Sequence, residues 1–420
     1  VLVRIERVVI AGGGLAGLRA AEELRGRGYP GAITMVGAEL RPPYDRPPLT
    51  KKFMTGQLDD TTLAADPVAL GLDLRLGEAA TGLDFGPGQA ATGLGGGVLR
   101  TGRGEHPFDA LVVATGAVPV SLPGSGRQQF LRTFDDARTI RDALRPGTRL
   151  AVVGAGWIGA ELATTAGQRG CVVTVVEAAN SPLAGALGNE VGQVTVPWYA
   201  DAGVDLRLGQ PVESVEQEGL VLPGGGWLPA DLVVVAVGVR PQVDWLAGSQ
   251  LKLENGVAVD ERLRTSAPGV YAAGDCAAFL SARYGRRLRV EHWDGALHAP
   301  AVVAANILGG DEIYDPVPYF WSEQFGRMVQ YAGHHSRADR LIWRGDPAGR
   351  EWGACWLAGP QPGDGDAGNG TGERLVAVLT VGRPRDLLQG RRVIAAGAAV
   401  DPGRLADPGL PVRDAVIDRA

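Results

Sequence analysis

The chain has 420 residues, enough for roughly three domains at about 150 residues each, and its 45% hydrophobic and 21% charged content is that of a globular protein, which excludes a disordered, collagenous or disulfide-scaffold chain. A net charge of −6 argues against a bulk nucleic-acid binder, and no apolar run approaches the ~20 residues of a membrane-spanning helix. The opening VLVRIERVVIAGGG is too short and too quickly glycine-rich for a signal peptide, and Cys171, Cys276 and Cys355 form no Cys-x-x-Cys, so a cytoplasmic protein with reduced thiols and no metal site is expected.

Along the chain, Arg7 to Ala11 reads as a strand, Gly12-Gly13-Gly14-Leu15-Ala16-Gly17 as a tight turn, Leu18 to about Gly28 as a helix and Ile33 to Val36 as the next strand. Glu39 follows, 27 residues after Gly12. The same unit recurs about 140 residues later: Leu150 to Val153, the turn Gly154-Ala155-Gly156-Trp157-Ile158-Gly159, a helix to about Arg169, and Cys171 to Val176. It closes on Glu177, 23 residues after Gly154. In such a unit the first glycine makes the turn, the second admits a pyrophosphate and the third lets helix pack on strand. The helix N-terminus offers N–H groups and partial positive charge to the diphosphate, and the acid accepts from ribose hydroxyls.

Between and after these units lie strands that are apolar throughout, as expected of central parallel strands buried on both faces. Ala110 to Gly116 ends in Ala114-Thr115-Gly116, and Asp231 to Gly238 ends in Val237-Gly238. A third, Gly269 to Asp275, ends in Gly274-Asp275, which reads either as a helix N-cap or as a carboxylate holding a hydroxylated cofactor chain. Beyond about Tyr319 the texture becomes that of a small α+β domain. Strands at Glu351 to Leu357 and Leu375 to Val381 flank a Gly/Pro/Asp-rich segment, Ala358 to Glu373, read as a mobile loop, and the Pro-rich tail past Asp401 is expected to be partly disordered.

Two dinucleotide turns suggest two cofactors exchanging electrons, FAD at the first and a nicotinamide nucleotide at the second. Glu177, followed by Ala178-Ala179-Asn180 with no arginine, favours NADH over NADPH. Pro42 to Lys51 (PPYDRPPLTK) contains no cysteine, so no redox disulfide or peroxidatic thiol stands there and electrons must leave the flavin directly. Only Lys51, Lys52 and Lys252 are lysines among 41 basic residues, which draws attention to Lys51.

The strings GGGLAGLRAAEELR, VGAELRPPYDRPPLTK, VVATGA, VVGAGWIGAELA, ADLVVVAVGVRP, VYAAGDCA, RVEHWDGA and PYFWSEQFG run in order from Val8 to about Gly333. In them the chain resembles the NADH-dependent ferredoxin reductases of the pyridine nucleotide–disulfide oxidoreductase superfamily. PYDRPPLTK and FWSEQ are specific to that branch. The resemblance implies an α/β fold of the glutathione-reductase-like kind. Two Rossmann-like domains would carry FAD (residues 1–115 and 247–317) and NADH (116–246), followed by a C-terminal α+β domain (318–420). It implies that Gly12, Gly14 and Gly17, with Leu15 and Ala16 between them, face the FAD diphosphate and Glu39 the adenosine ribose. Arg46, Ala114, Thr115, Gly116, Gly274 and Asp275 would also contact FAD, Asp275 at the ribityl chain. Glu291, His292 and Trp293 would pass the flavin and nicotinamide. Gly154, Gly156, Trp157, Ile158, Gly159, Glu177, Val237 and Gly238 would hold NADH. Lys51 and Glu161 would form an ion pair near the hydride path, and Trp321 would lie where electrons leave.

The implied activity is passage of electrons from NADH through FAD to an iron–sulfur ferredoxin that supplies an oxygenase. The partner would be docked by arginines among Arg286, Arg287, Arg289, Arg383, Arg385, Arg391 and Arg392. No nucleic acid or membrane partner is implied, and monomer and homodimer stay open. The alternatives are a reductase for rubredoxin, monodehydroascorbate or a quinone, or a redox sensor of the apoptosis-inducing-factor type. The chain departs from the family in three places. Gly185 stands where an arginine helps hold the nucleotide, Val118 and Val120 stand where arginines follow ATG, and the loop at Ala358 to Glu373 is longer.

Overall fold

A computed structural model describes residues 5–85, 96–336, 338–359 and 372–417. Contacts divide the chain into two compact units, one of Val1–Asp45, Thr61–Val118 and Val239–Pro316, the other of Arg46–Asp60, Pro119–Gly238 and Val317–Ala420.

The first unit is built on a five-stranded parallel sheet with the order Val270–Ala272, Ala110–Val113, β1 (Arg7–Ala11), β2 (Ala32–Gly37), Leu72–Leu76. Val9, Ile10, Leu111 and Val112 are all but fully buried, because helices and the antiparallel sheet that carries Leu83, Leu99 and Phe108 pack into one core around them and leave neither face of the central strands to solvent. Helix α1 (Leu15–Gly26) turns Leu18, Ala20, Ala21 and Leu24 inward and packs against the helix Trp293–Ile307. Two small three-stranded sheets accompany it, one antiparallel (Ala80–Asp84, Gly97–Thr101, Gly104–Phe108) and one mixed (Val257–Val259, Ala277–Ser281, Arg286–Leu288).

The second unit repeats the design. Its parallel sheet runs Asp205–Arg207, β4 (Val172–Val176), β3 (Arg149–Val153), Leu232–Val235. Helix α2 (Trp157–Gln168) follows β3, and α3 (Asn189–Asp201) follows β4. The antiparallel sheet of the C-terminal region begins with β5 (Tyr319–Gln324), which pairs with Arg327–Gly333. That strand pairs with Glu373–Val381, which pairs in turn with Trp352–Ala358 and so with Arg340–Arg344. One face buries Val329, Trp352, Ala354 and Leu379 with Trp198 and Val191 of α3. The other buries Cys355, Leu357 and Val378 against Leu387, Val393 and Ile394 of α4 (Pro384–Ala396). The segment Arg46–Asp60 belongs with this unit because Phe53 packs on Phe134, Arg141 lies over the Phe53 ring, and Arg169 donates to the Met54 carbonyl.

The strands at Trp352–Ala358 and Glu373–Val381 are antiparallel, as the sequence suggests, and residues 360–371 of the expected mobile loop lie outside the described residues. The expectation of a disordered tail is corrected for 401–417. Asp401 caps the helix Pro402–Ala406 by accepting from Arg404 N at 2.9 Å, and Leu405, Val412 and Ala415 are fully buried. The cause is Arg344, itself 1% exposed. Its guanidinium pairs with Asp386 at 2.9 Å and donates to the carbonyls of Leu405, Asp407 and Leu410, which gives the tail partners a Pro-rich sequence does not advertise.

Candidate functional site

The carboxyl ends of three strands in the first unit meet at its glycine turn. Gly12 has φ +133°, and a Cβ there would sit 2.1 Å from the Ala114 carbonyl oxygen. A Cβ on Gly17 would sit 2.0 Å from the Gly12 carbonyl oxygen, so the helix rests directly on the turn. Gly14 occupies the N-cap position of α1 without a side-chain cap, leaving the first N–H groups of the helix to a ligand, while Leu15 and Ala16 are buried behind them. Ala273 N donates to Val113 O at 3.0 Å. Gly274, at φ +75°, brings its Cα side to the Ala16 methyl. Ala114, Thr115, Gly116, Gly274 and Asp275 are thereby brought to the end of β1. Asp275 lies inside the 3₁₀ turn Gly274–Cys276, whose cap position is Ala273, so the N-cap reading of this aspartate falls. Glu39 accepts from the Tyr44 hydroxyl at 2.6 Å. Glu291 pairs with Arg289, His292 is the N-cap residue of Trp293–Ile307, and the Trp293 indole donates to Asp45 Oδ1 at 2.7 Å.

The second unit repeats these geometric roles. Gly154 has φ +103° and would place a Cβ 2.5 Å from the Ala236 carbonyl oxygen; Gly159 would place one 2.0 Å from the Gly154 carbonyl oxygen. Gly156 has nothing within 4 Å of its absent Cβ, so its face is open for a diphosphate. The N-terminus of α2 again lacks a side-chain cap. Glu177 is held by two backbone donors, Ala155 N at 2.7 Å and Ala179 N at 2.8 Å, which fixes its carboxylate at the turn. Val237, Gly238 and Ile158 are exposed near the strand ends. Trp157 turns away and packs edge-on against Phe320 at 4.4 Å. The stretch without the family arginine is anchored differently. Leu183 N donates to Ala155 O at 3.1 Å, Leu183 and Leu187 are buried, and Gly185 faces open space.

Also in the second unit, a buried carboxylate gathers three chain segments. Glu161 Oε2 accepts from Lys51 Nζ at 2.8 Å and from the Thr50 hydroxyl at 2.5 Å. Its Oε1 accepts from the Ser322 hydroxyl at 2.6 Å and from Glu323 N at 3.3 Å. The ion pair expected of Lys51 and Glu161 is therefore present, with side chains 15% and 5% exposed. Burial this deep is tolerated because the carboxylate has four donors and the ammonium also reaches Pro47 O and Thr50 Oγ1. Trp321 lies on the other face of β5 from Ser322, stacked on Tyr319, whose ring carries the Arg391 guanidinium at 5.2 Å. Arg46 donates to the Arg132 carbonyl at 3.2 Å.

The candidate docking arginines divide. Arg287 is committed to Glu254 and to the carbonyls of Val259 and Ala278, Arg289 to Glu291, and Arg383 to Asp386 and the Pro408 carbonyl. Arg385 and Arg392 are exposed on α4, beside Leu388, which is 53% exposed. All three cysteines are free. Burial raises the Cys171 and Cys276 thiols and pushes Cys355 up to about 12, so none is a thiolate at neutral pH. Thr50, Ser322, Tyr44 and Leu183 were not singled out from sequence. Tyr44, Thr50 and Ser322 lie inside PPYDRPPLTK and PYFWSEQFG, and only contacts reveal their partners.

The family model described as pyridine nucleotide-disulphide oxidoreductase matches residues 6–299. The chain belongs to that family. A second model, described as reductase C-terminal, matches 319–416. The ferredoxin–NAD(+) reductase component of the anthranilate 1,2-dioxygenase system of Burkholderia cepacia is 34% identical over 412 residues, covering 95% of this chain and 97% of that protein. Among solved structures, that of Fdr9 matches with a TM-score of 0.88 at 47% identity over 97% of this chain and 99% of that one. The covalent putidaredoxin reductase–putidaredoxin complex matches with a TM-score of 0.88 at 30% identity over 97% of each chain.

Proposed function

We propose that the chain is an FAD-dependent NADH:ferredoxin oxidoreductase, passing electrons from NADH through FAD to an iron–sulfur ferredoxin that supplies an oxygenase in the cytoplasm. The observation that carries this is the pair of glycine turns, one in each unit, each with a helix that has no side-chain cap and a carboxylate after the next strand. A dinucleotide fits both: a Cβ at Gly12 or Gly154 would break the turn, and the free helix N–H groups suit a diphosphate. FAD, when bound, accepts an electron pair as hydride and releases electrons one at a time.

This chain's own residues bind and orient. In the reading proposed here the FAD domain comprises 1–115 and 247–317, the NADH domain 116–246 and the C-terminal domain 318–420. Gly12, Gly14, Leu15, Ala16 and Gly17 hold the FAD diphosphate, and Glu39 the ribose. Arg46, Ala114, Thr115, Gly116, Gly274, Asp275, Glu291, His292 and Trp293 complete the flavin site. Gly154, Gly156, Ile158, Gly159, Val237 and Gly238 form the nicotinamide-nucleotide site, to which Trp157 contributes its backbone N–H alone, its indole being turned onto Phe320. Glu177, its carboxylate immobilised by two backbone N–H groups, accepts the adenosine 2′-hydroxyl and repels a 2′-phosphate, so NADH should exceed NADPH in kcat/KM by about a hundredfold. Lys51 supplies a fixed positive charge, and Glu161 holds that ammonium in place. Trp321 serves the exit of electrons. No side chain is asked to move a proton.

The test is steady-state NADH oxidation by the flavin-loaded protein with and without purified ferredoxin. Turnover that rises strongly with ferredoxin is the expected result. Equal rates with and without it, alongside fast reduction of a quinone or monodehydroascorbate, would reject ferredoxin as the acceptor.

A further inference from the structure

Helix α2 and strand β5 are fastened together in register. From the helix come Trp157, Glu161 and Thr164, spaced i, i+4, i+7 and so on one face. From the strand side come Phe320, Ser322 and Phe325. The Trp157 ring meets Phe320 edge-on at 4.4 Å, the Ser322 hydroxyl donates to Glu161 at 2.6 Å, and Phe325 N donates to Thr164 Oγ1 at 2.9 Å. The first two rungs are commensurate: four residues of helix rise about 6 Å, and two residues of strand about 6.6 Å. Phe325, held at φ +49°, ends the strand with its ring on Tyr199 at 4.6 Å. The rung at Trp157 differs from the others in origin. It belongs to the glycine turn itself, two residues from Gly159 and next to the open face of Gly156. Alternation along β5 puts Trp321 between the two residues that α2 grips, on the opposite face.

We propose that Trp157 is a positioning residue that couples nucleotide binding at the second glycine turn to the ordering of β5, and through its backbone to Trp321. This rests on the reading of that turn as the nicotinamide-nucleotide site. A ligand on the N–H groups of α2 stiffens the helix start. The indole carries that restraint to Phe320, because a T-shaped aromatic pair resists sliding and a rigid ring has few rotamers to absorb it.

The test is hydrogen exchange by mass spectrometry on the flavin-loaded protein with and without saturating NAD+. In the wild type, NAD+ is expected to slow exchange of peptides covering both 154–162 and 319–324, the latter by at least about fivefold, the lower end of measured couplings between sites. In Trp157→Ala the turn should stay protected while the effect on 319–324 disappears, and Trp157→Phe should restore most of it. Equal protection of 319–324 in Trp157→Ala, or none in the wild type while the turn is protected, overturns the coupling. Absence of protection at 154–162 in the wild type overturns both the coupling and the nucleotide reading beneath it. If Trp157→Ala does not fold, Phe320→Leu removes the same rung from the strand side, and the same outcomes apply.

Discussion

Replacing Glu161 by glutamine removes the only carboxylate among the described residues that pairs with Lys51, while keeping the side chain's shape. The ammonium, 15% exposed, is left with Pro47 O at 3.3 Å and Thr50 Oγ1 at 3.2 Å, both long. The new amide also presents donor hydrogens where hydroxyl and ammonium donors converge. Breaking one side of a buried pair costs about 3–5 kcal/mol, and the remaining exposure and contacts of Lys51 place this case near the lower end, about 3 kcal/mol. For a unit of about 240 residues, that lowers the melting temperature by about 6–12 °C. Lys51→Met should cost less, about 1–2 kcal/mol, because Glu161 keeps the Thr50, Ser322 and Glu323 donors. The double variant should be no less stable than Glu161→Gln alone, since the stranded charge is gone. Differential scanning calorimetry on all four proteins gives the cycle. Additive losses to within about 0.5 kcal/mol would refute the coupled knot.

Reversing Arg385 and Arg392 to glutamate should slow ferredoxin reduction about tenfold at low ionic strength and leave ferricyanide reduction unchanged; equal loss with both acceptors would reject α4 as the docking face. Burial lowers the pKa of His335, which is stacked on Trp356 and lies 2.7 Å from the Tyr331 hydroxyl. The unfolded chain therefore takes up a proton near pH 6.5 that the folded chain resists, so stability should fall as pH drops from 7 to 5, and His335→Gln should flatten that slope in thermal melts. Cys276 and Cys355 should resist a thiol reagent at pH 8 until the protein is unfolded, and serine or alanine in their place should leave NADH oxidation intact, as read by absorbance at 340 nm.

The repeated strand–turn–helix units were legible because their constraint is local. Gly12 and Gly17, like Gly154 and Gly159, are dictated by backbone approaching backbone within a few residues or across one neighbouring strand. Lys51 stood out by residue type alone, and Glu161 by resemblance. Thr50 and Ser322 did not stand out, because a serine that donates to a carboxylate 161 positions away has no periodic signature. The order of the tail past Asp401 is not legible in its own residues for a related reason. Its order comes from Arg344, whose five-donor fork reaches three carbonyls more than sixty residues on. Proline content describes what the tail cannot do by itself, while the arginine supplies what it lacks. Arg46–Asp60 joins the second unit through Phe53, Arg141 and Arg169, contacts between aromatic and guanidinium groups that no linear pattern marks.

The first sheet has a consequence for biosynthesis. Its Ala110–Val113 strand takes Val270–Ala272 as its outer neighbour, so a ribosome must deliver roughly 160 further residues before that flank is covered. Until then the nascent protein carries a raw, fully apolar border with unmet amides, the kind of surface that sticks to its copies. Slow translation across the middle of the message, or a shortage of chaperone, should therefore reduce yield far more than damage at the finished molecule's surface would suggest.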